Sequence, residues 1–163
     1  MPDLLWDDVR NFFDAELMGA LPELWVPGTS VEDWQVVFDL VRSSGWAWEF
    51  MEGGVVGALP TAAEVLTRSA GAELATLRVQ PVPNVLAVFY PMPAEDVCFD
   101  VDLGELQGQR GVDVLCDFLC VIGRGLFKPV YMAAEGDGGQ PVLGYEPADD
   151  RVMLLAGPRF SRP

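Results

Sequence analysis

Apolar residues recur at helical spacing at the front of the chain. Leu5, Val9, Phe12, Phe13, Leu17 and Leu21 form a stripe from which Asp7, Asp8, Asp14 and Glu16 are largely excluded. This predicts one amphipathic helix. Leu21-Pro22 and Pro27-Gly28 punctuate the next segment, and Trp25 falls in that turn-rich stretch, where it reads as an exposed apolar anchor or as packing over a helix end. Ser30 then suits an N-cap, with Glu32 and Asp33 in the first turn, where carboxylates favour the positive end of the helix dipole. The apolar face of this second helix is Val31, Trp34, Val37, Phe38 and Val41, and Gly45 ends it.

From Trp46 the period changes from 3.6 to two. Trp46, Trp48 and Phe50 share one face of a predicted strand that Gly53-Gly54 closes. A short helix is predicted from Thr61 to about Arg68. Residues 73–80 and 84–91 read as strands joined around Pro81-Val82-Pro83-Asn84, and 96–103 as another, with Val97, Phe99, Val101 and Leu103 alternating against Asp96, Cys98, Asp100 and Asp102. The most apolar helix comes next, from about Gln109 to Arg124. Its polar positions reduce to a thin stripe of Arg110, Asp113, Asp117 and Arg124, which also suggests intrahelical ion pairs. Gly125 reads as its C-cap, before a strand from Lys128 to about Ala133. Turn signals at residues 135–139 and 147–150 flank strands near 141–146 and 151–155.

The expected fold is α+β: a mostly antiparallel sheet packed against a long buried helix, with two N-terminal amphipathic helices. One domain spans residues 1–163, with a helical front over 1–45, a sheet-based part over 46–157 and a mobile tail over 158–163. If an internal boundary exists, Glu52–Pro60 is its place.

Composition narrows the chemistry. The chain carries 25 acids, 10 cations and no histidine, for a formal charge of −15 over 163 residues. Without imidazole, Ser-His-Asp, Cys-His and His-ligated metal chemistry are excluded unless a partner supplies the group. The negative field repels nucleic acid and attracts cationic surfaces, so no direct nucleic-acid binding is expected and a basic protein partner is. Cys98, Cys116 and Cys120 are odd in number, which argues against a disulfide framework and for a reducing, cytoplasmic setting. The acidic start of the chain is unlike a signal peptide, and Asp113 and Asp117 interrupt the longest apolar run, so no membrane span is expected.

The densest polar feature is residues 95–105, with five acids and no cation. Alternation puts Asp96, Asp100 and Asp102 on one side of a sheet, with Glu105 just beyond. They form a solvated face, a docking surface for a basic partner, or a divalent-metal site on Asp100 and Asp102. Residues 1–33 hold eight acids against Arg10, among them Asp7, Asp8 and Asp14, and form a second acidic region. Trp46, Trp48 and Phe50 read as core rather than as a base-stacking platform, since no cation lies between Arg42 and Arg68. The cysteines read as buried small hydrophobes, with a three-thiolate site requiring Cys98 to join the other two. No cofactor is implied.

Residues 46–50 (Trp-Ala-Trp-Glu-Phe), 123–130 (Gly-Arg-Gly-Leu-Phe-Lys-Pro-Val) and 142–145 (Val-Leu-Gly-Tyr), in a small acidic α+β chain without a catalytic constellation, prompt a resemblance. The chain resembles the immunity proteins that bacteria make against polymorphic or contact-dependent toxins. The resemblance implies inhibition by masking, with acidic groups meeting the basic face of a toxin. The sequence therefore favours a non-enzymatic binding protein or inhibitor, with Asp96, Asp100, Asp102 and Glu105 as contacts, Trp25 as an apolar anchor and Asp7, Asp8 and Asp14 as secondary contacts. Two other readings stand beside it: a structural or assembly component that binds its own kind or a secretion apparatus, and a carboxylate-based, metal-assisted enzyme.

Overall fold

Among the described residues nine strands make one sheet in which every neighbouring pair is antiparallel. In the computed structural model, which describes residues 2–67, 74–136 and 140–156, the strands are β1 (Glu23–Pro27), β2 (Ala47–Glu52), β3 (Val55–Gly57), β4 (Ala75–Val82), β5 (Val85–Tyr90), β6 (Asp96–Val101), β7 (Val130–Ala133), β8 (Pro141–Glu146) and β9 (Arg151–Leu154). Their order across the sheet is β3-β2-β4-β5-β6-β1-β7-β8-β9. The helices are α1 (Trp6–Val9), α2 (Ala15–Met18), α3 (Val31–Ser43), α4 (Ala62–Leu66) and α5 (Gly108–Leu126), with 3₁₀ turns at Arg10–Phe13 and Leu103–Glu105. The fold is α+β, and the tail over 158–163 and the turn residues 137–139 lie outside the described residues. Among the described residues no helix is long and apolar enough to cross a membrane.

Helix α5 organises the packing. Its buried stripe includes Val112, Leu115, Phe118, Leu119, Ile122 and Leu126, and Arg110, Asp117 and Arg124 stay exposed, as the thin polar stripe predicts. Phe118 is the hub: its ring lies 6.1 Å from that of Phe89, 5.8 Å from Phe99 and 5.1 Å from Trp46, while Phe89 and Phe99 stack at 4.7 Å. Such edge-on and offset contacts suit the ring quadrupoles. Two glycines of α5 leave no room for a side chain, one against the turn that precedes the helix and one against β8. A Cβ at Gly111 would strike the Leu106 carbonyl, and one at Gly123 would strike the Tyr145 ring.

The second predicted helix forms as α3, with a full capping box. Ser30 Oγ accepts from Asp33 N at 3.4 Å, and Ser30 N donates to the Asp33 carboxylate at 3.1 Å. Trp34, Val37, Phe38 and Val41 are buried, and Trp34 Nε1 donates to Pro93 O at 3.2 Å. The hairpin β4–β5 turns at Pro83-Asn84, where Asn84 adopts φ 71°.

Four expectations are corrected. The front stripe is broken into α1, a 3₁₀ turn and α2, and Leu5, Leu17 and Leu21 are exposed. The cause is Asp14, which is extended and whose side chain accepts from Glu16 N at 2.9 Å, a cap that starts a new turn. Trp25 is in a strand, not a turn. Pro22 and Pro27 mark its ends, and β1 lies between β6 and β7 in the middle of the sheet. Gly125 does not end α5: the helix runs to Leu126 with Phe127 at φ 56° as C-cap, and Gly125 gives room to Leu40, whose Cδ1 would lie 2.7 Å from an added Cβ. Arg124 pairs not along its helix but with Asp150, at 2.6 Å.

Because β1 is antiparallel to both β6 and β7, those two run parallel, and α5 connects them across β1 on one face of the sheet. The N-terminal segment joins this covered side: α1 packs on α5, Trp6 N donates to Gln109 Oε1 at 2.8 Å, and Gln107 Nε2 donates to Phe13 O at 2.8 Å. Among the described residues no helix covers the opposite face, which is open. Glu23, Ala47, Glu49, Arg78 and Gln80 are exposed on it, and Trp25, Thr76, Val88, Tyr90, Cys98, Asp100 and Tyr131 are half-buried.

Candidate functional site

The strict alternation of β6 turns Val97, Phe99 and Val101 into the core and leaves Asp96, Cys98 and Asp100 on the open face. The same parity in β1 buries Leu24 and Val26 and turns out Glu23 and Trp25. Register then brings the two sets together. Glu23 stands opposite Asp100, and Trp25 opposite Cys98. On the flanks, Tyr90 pairs with Cys98, Tyr131 with Trp25, and Gly144 with Tyr131.

The result is a row across the middle of the sheet, Tyr90–Cys98–Trp25–Tyr131, beside a pair of facing carboxylates. Trp25 and Tyr131 lie 5.7 Å apart, tilted by 55°. Tyr131 in turn occupies the space above Gly144, where a Cβ would come within 2.8 Å of its ring and 2.7 Å of Val130 O. A shallow depression of about 450 Å³ is lined by Glu23, Trp25, Tyr90, Asp96, Cys98 and Asp100, with Leu24 and Phe99 beneath. Among these lining residues there is no cation.

The electrostatics follow from that lining. Tyr90 Oη donates to Asp100 Oδ2 at 2.7 Å, which orients the carboxylate and leaves acceptor capacity free. Partial burial, the hydrogen bond to Asp100 and its charge push the Tyr90 phenol up to about 12. Burial also raises the Cys98 thiol, reinforced by Asp96, Glu23 and Asp100 around it. The thiol is a neutral floor in a negative trough. A raised thiol forms less of the thiolate, the nucleophilic form.

The structure brings Asp96, Asp100 and Trp25 into one site and gives the other sequence candidates different surroundings. Asp102 lies past the end of β6, where it caps the 3₁₀ turn by accepting from Gly104 N at 2.8 Å. Glu105 accepts from Leu86 N at 3.0 Å. Asp7 and Asp8 are exposed on α1, on the helix-covered side, and Asp14 caps α2. None of these five lines the trough. Glu23, Tyr90 and Tyr131 do not stand out as site residues in the sequence, and Cys98 does so only as a possible metal thiolate. The alternation Glu23-Leu24-Trp25-Val26 carries the signal for one of them, but the pairing that unites them spans over 60 residues of chain.

A second depression, of about 530 Å³, lies over the outer side of α5 between Pro2, Asp3, Asp113, Cys116, Asp117, Cys120 and Arg124. Asp3 accepts from Val152 N at 2.8 Å and from the Cys120 thiol at 3.7 Å, tying the start of the chain to the edge strand β9. Burial, then Asp3, raise Cys120 to about 11 and push Cys116 up as well. Cys98 lies on the open face, across the sheet from these two, so the three thiols do not converge. Among the described residues no group of three metal-ligating side chains forms.

The chain matches no known family model, no curated protein and no solved structure. Its function is therefore read from the open face itself.

Proposed function

We propose that this protein is a binding protein that docks on a basic partner protein through the open face of its sheet, and that it inhibits the partner by covering its cationic surface. The observation that carries the proposal is the direct opposition of Glu23 and Asp100 beside Trp25, in a trough with no cation among the described residues that line it. Like charges in register across two strands cost folding free energy. A partner's cation offsets that cost, and complementary charge speeds encounter and selects partners. Trp25, a half-buried aromatic at the centre of the patch, has the character of an interface anchor. This is the mode that a toxin-neutralising immunity protein would use.

Affinity capture of the tagged chain from lysate of its native cell, run at low and high salt, supplies the partner. Association kinetics then test the surface. Asp96→Lys with Asp100→Lys is expected to slow association and flatten its salt dependence. An unchanged on-rate and salt slope would show that the partner binds elsewhere.

A second reading, self-assembly, draws on β3, which lies at the edge of the sheet among the described residues and whose Val55 and Val56 are 69 % and 57 % exposed. An unpaired apolar edge is a template for another strand. Light scattering separates the readings, since only self-assembly gives a defined oligomer of the purified chain.

A further inference from the structure

We infer that the trough around Trp25 receives one arginine side chain of the partner, with its guanidinium against the indole and its donors directed to Asp100 and Glu23. This inference rests on the reading of the open face as a docking surface for a basic protein. It adds which side chain enters and where.

Three observations select the occupant. First, the row that contains the facing carboxylates runs Val88–Asp100–Glu23–Ala133, so neither acid has a cation as its other cross-strand neighbour. Among the described residues the nearest cation in that row is Arg78, one strand beyond Val88: its charge reaches Tyr90, but it donates to Met51 Sδ at 3.8 Å, toward β2, and does not line the depression. Second, Glu23 and Trp25 are alternate residues of β1, roughly 7 Å apart along one face. A flat cation resting on Trp25 therefore has its edge toward Glu23 and Asp100. Third, the site is held in advance. Tyr90 fixes Asp100 by a 2.7 Å hydrogen bond, and Tyr131 braces Trp25 from the far side at 5.7 Å.

These features favour guanidinium over ammonium. Arginine is planar, stacks on aromatic faces, is weakly hydrated, and presents a fork of donors that can serve two carboxylates at once. Lysine's ammonium is a compact, strongly hydrated point that satisfies one acid at a time. A depression of about 450 Å³ takes the whole side chain rather than the head alone.

The probe is N-acetyl-arginine methylamide, titrated into the full chain while the indole N–H resonances are followed by NMR, with the Trp25 signal assigned from Trp25→Phe. Saturable shifts at Trp25 are expected at millimolar concentrations, typical of so small a ligand. The lysine analogue should bind more weakly, and the citrulline analogue, which has the shape without the charge, should leave Trp25 unmoved. Glu23→Gln and Asp100→Asn should each weaken the arginine probe about fivefold, the effect of losing one partly exposed charge partner. Both variants keep side-chain shape, and retained amide spectra verify their fold. Absence of a saturable Trp25 shift, an equal response to citrulline, or indifference to both variants overturns the proposal. Capture of a basic protein without any arginine response would sink this pocket and spare the docking face. A saturable arginine response with no basic protein retained would support the pocket and overturn the docking reading.

Discussion

Replacing Glu23 by glutamine removes one of two carboxylates that face each other across β1 and β6, and it should make the free protein more stable. Two unit charges about 6 Å apart repel by about 0.7 kcal/mol in water and by about 3 kcal/mol at an effective dielectric of 20. Glu23 is exposed and Asp100 half-buried, and both side chains can splay, so the lower part of that range applies. Like-charged cross-strand pairs are worth roughly 0.2–1 kcal/mol. For a chain of this length, a gain of about 0.5–1 kcal/mol corresponds to a rise in Tm of about 1–4 °C. The assay is urea unfolding, followed by tryptophan fluorescence, of wild type, Glu23→Gln, Asp100→Asn and the double variant at low salt and near 1 M, where the Debye length is about 3 Å. The gain from Glu23→Gln should shrink at high salt and be largely absent in the Asp100→Asn background. If it persists in both, the stabilisation is not relief of this repulsion. If Glu23→Gln destabilises at low salt, the facing pair is not a standing cost to the fold, and the open face has no built-in demand for a cation. A variant that is more stable yet weaker at binding the partner would identify the pair as a functional feature.

Other features yield independent tests. Gly111→Ala should cost at least about 1–3 kcal/mol, because its Cβ meets the backbone carbonyl of Leu106 rather than a side chain that can move; denaturant unfolding measures it. Ser30→Ala removes one half of the α3 capping box and should cost about 1 kcal/mol, with Ser30→Gly closer to wild type. Tyr90 and Tyr145 are each pushed up to about 12, by burial first and then by hydrogen bonds to Asp100 and Asp150. Because the folded values lie above the unfolded value of 10.0, the neutral phenols' contribution is complete below pH 10 and is lost as pH rises toward 12. Absorbance at 295 nm should thus show little tyrosinate below pH 10 in the native protein, and Tyr90→Phe should flatten the alkaline loss of stability; an ordinary phenol titration would refute both. Cys116 and Cys120, their thiols raised by burial, should react with a disulfide reagent far more slowly in the native than in the unfolded protein, as thiol release kinetics would show.

Local periodicity was enough for much of the architecture. The α3 cap, the α5 stripe and the alternation of β6 are signals written within a few residues, because a helix or strand must present one apolar side wherever it packs. Charge and the lack of histidine bounded the chemistry in the same way. The front helix shows where that logic fails: its apolar spacing was regular, but Asp14 offered the backbone a competing cap, and Leu5, Leu17 and Leu21 stayed in solvent.

The site itself was only half legible. Composition marked Asp96 and Asp100 as part of an acidic run, and strand parity put them on one face. That Trp25 joins them depended on β1 inserting between β6 and β7, and on a register that sets Glu23 against Asp100 and Tyr90 against Cys98. A single-residue slip would have turned Glu23 and Trp25 into the core, so the pairing is enforced by burial of Leu24 and Val26, not by any property of the site residues. Sequence determined which side chains could face outward together along each strand. Only the packed sheet decided which of them became neighbours, because strand order is fixed by the collective burial of the other face.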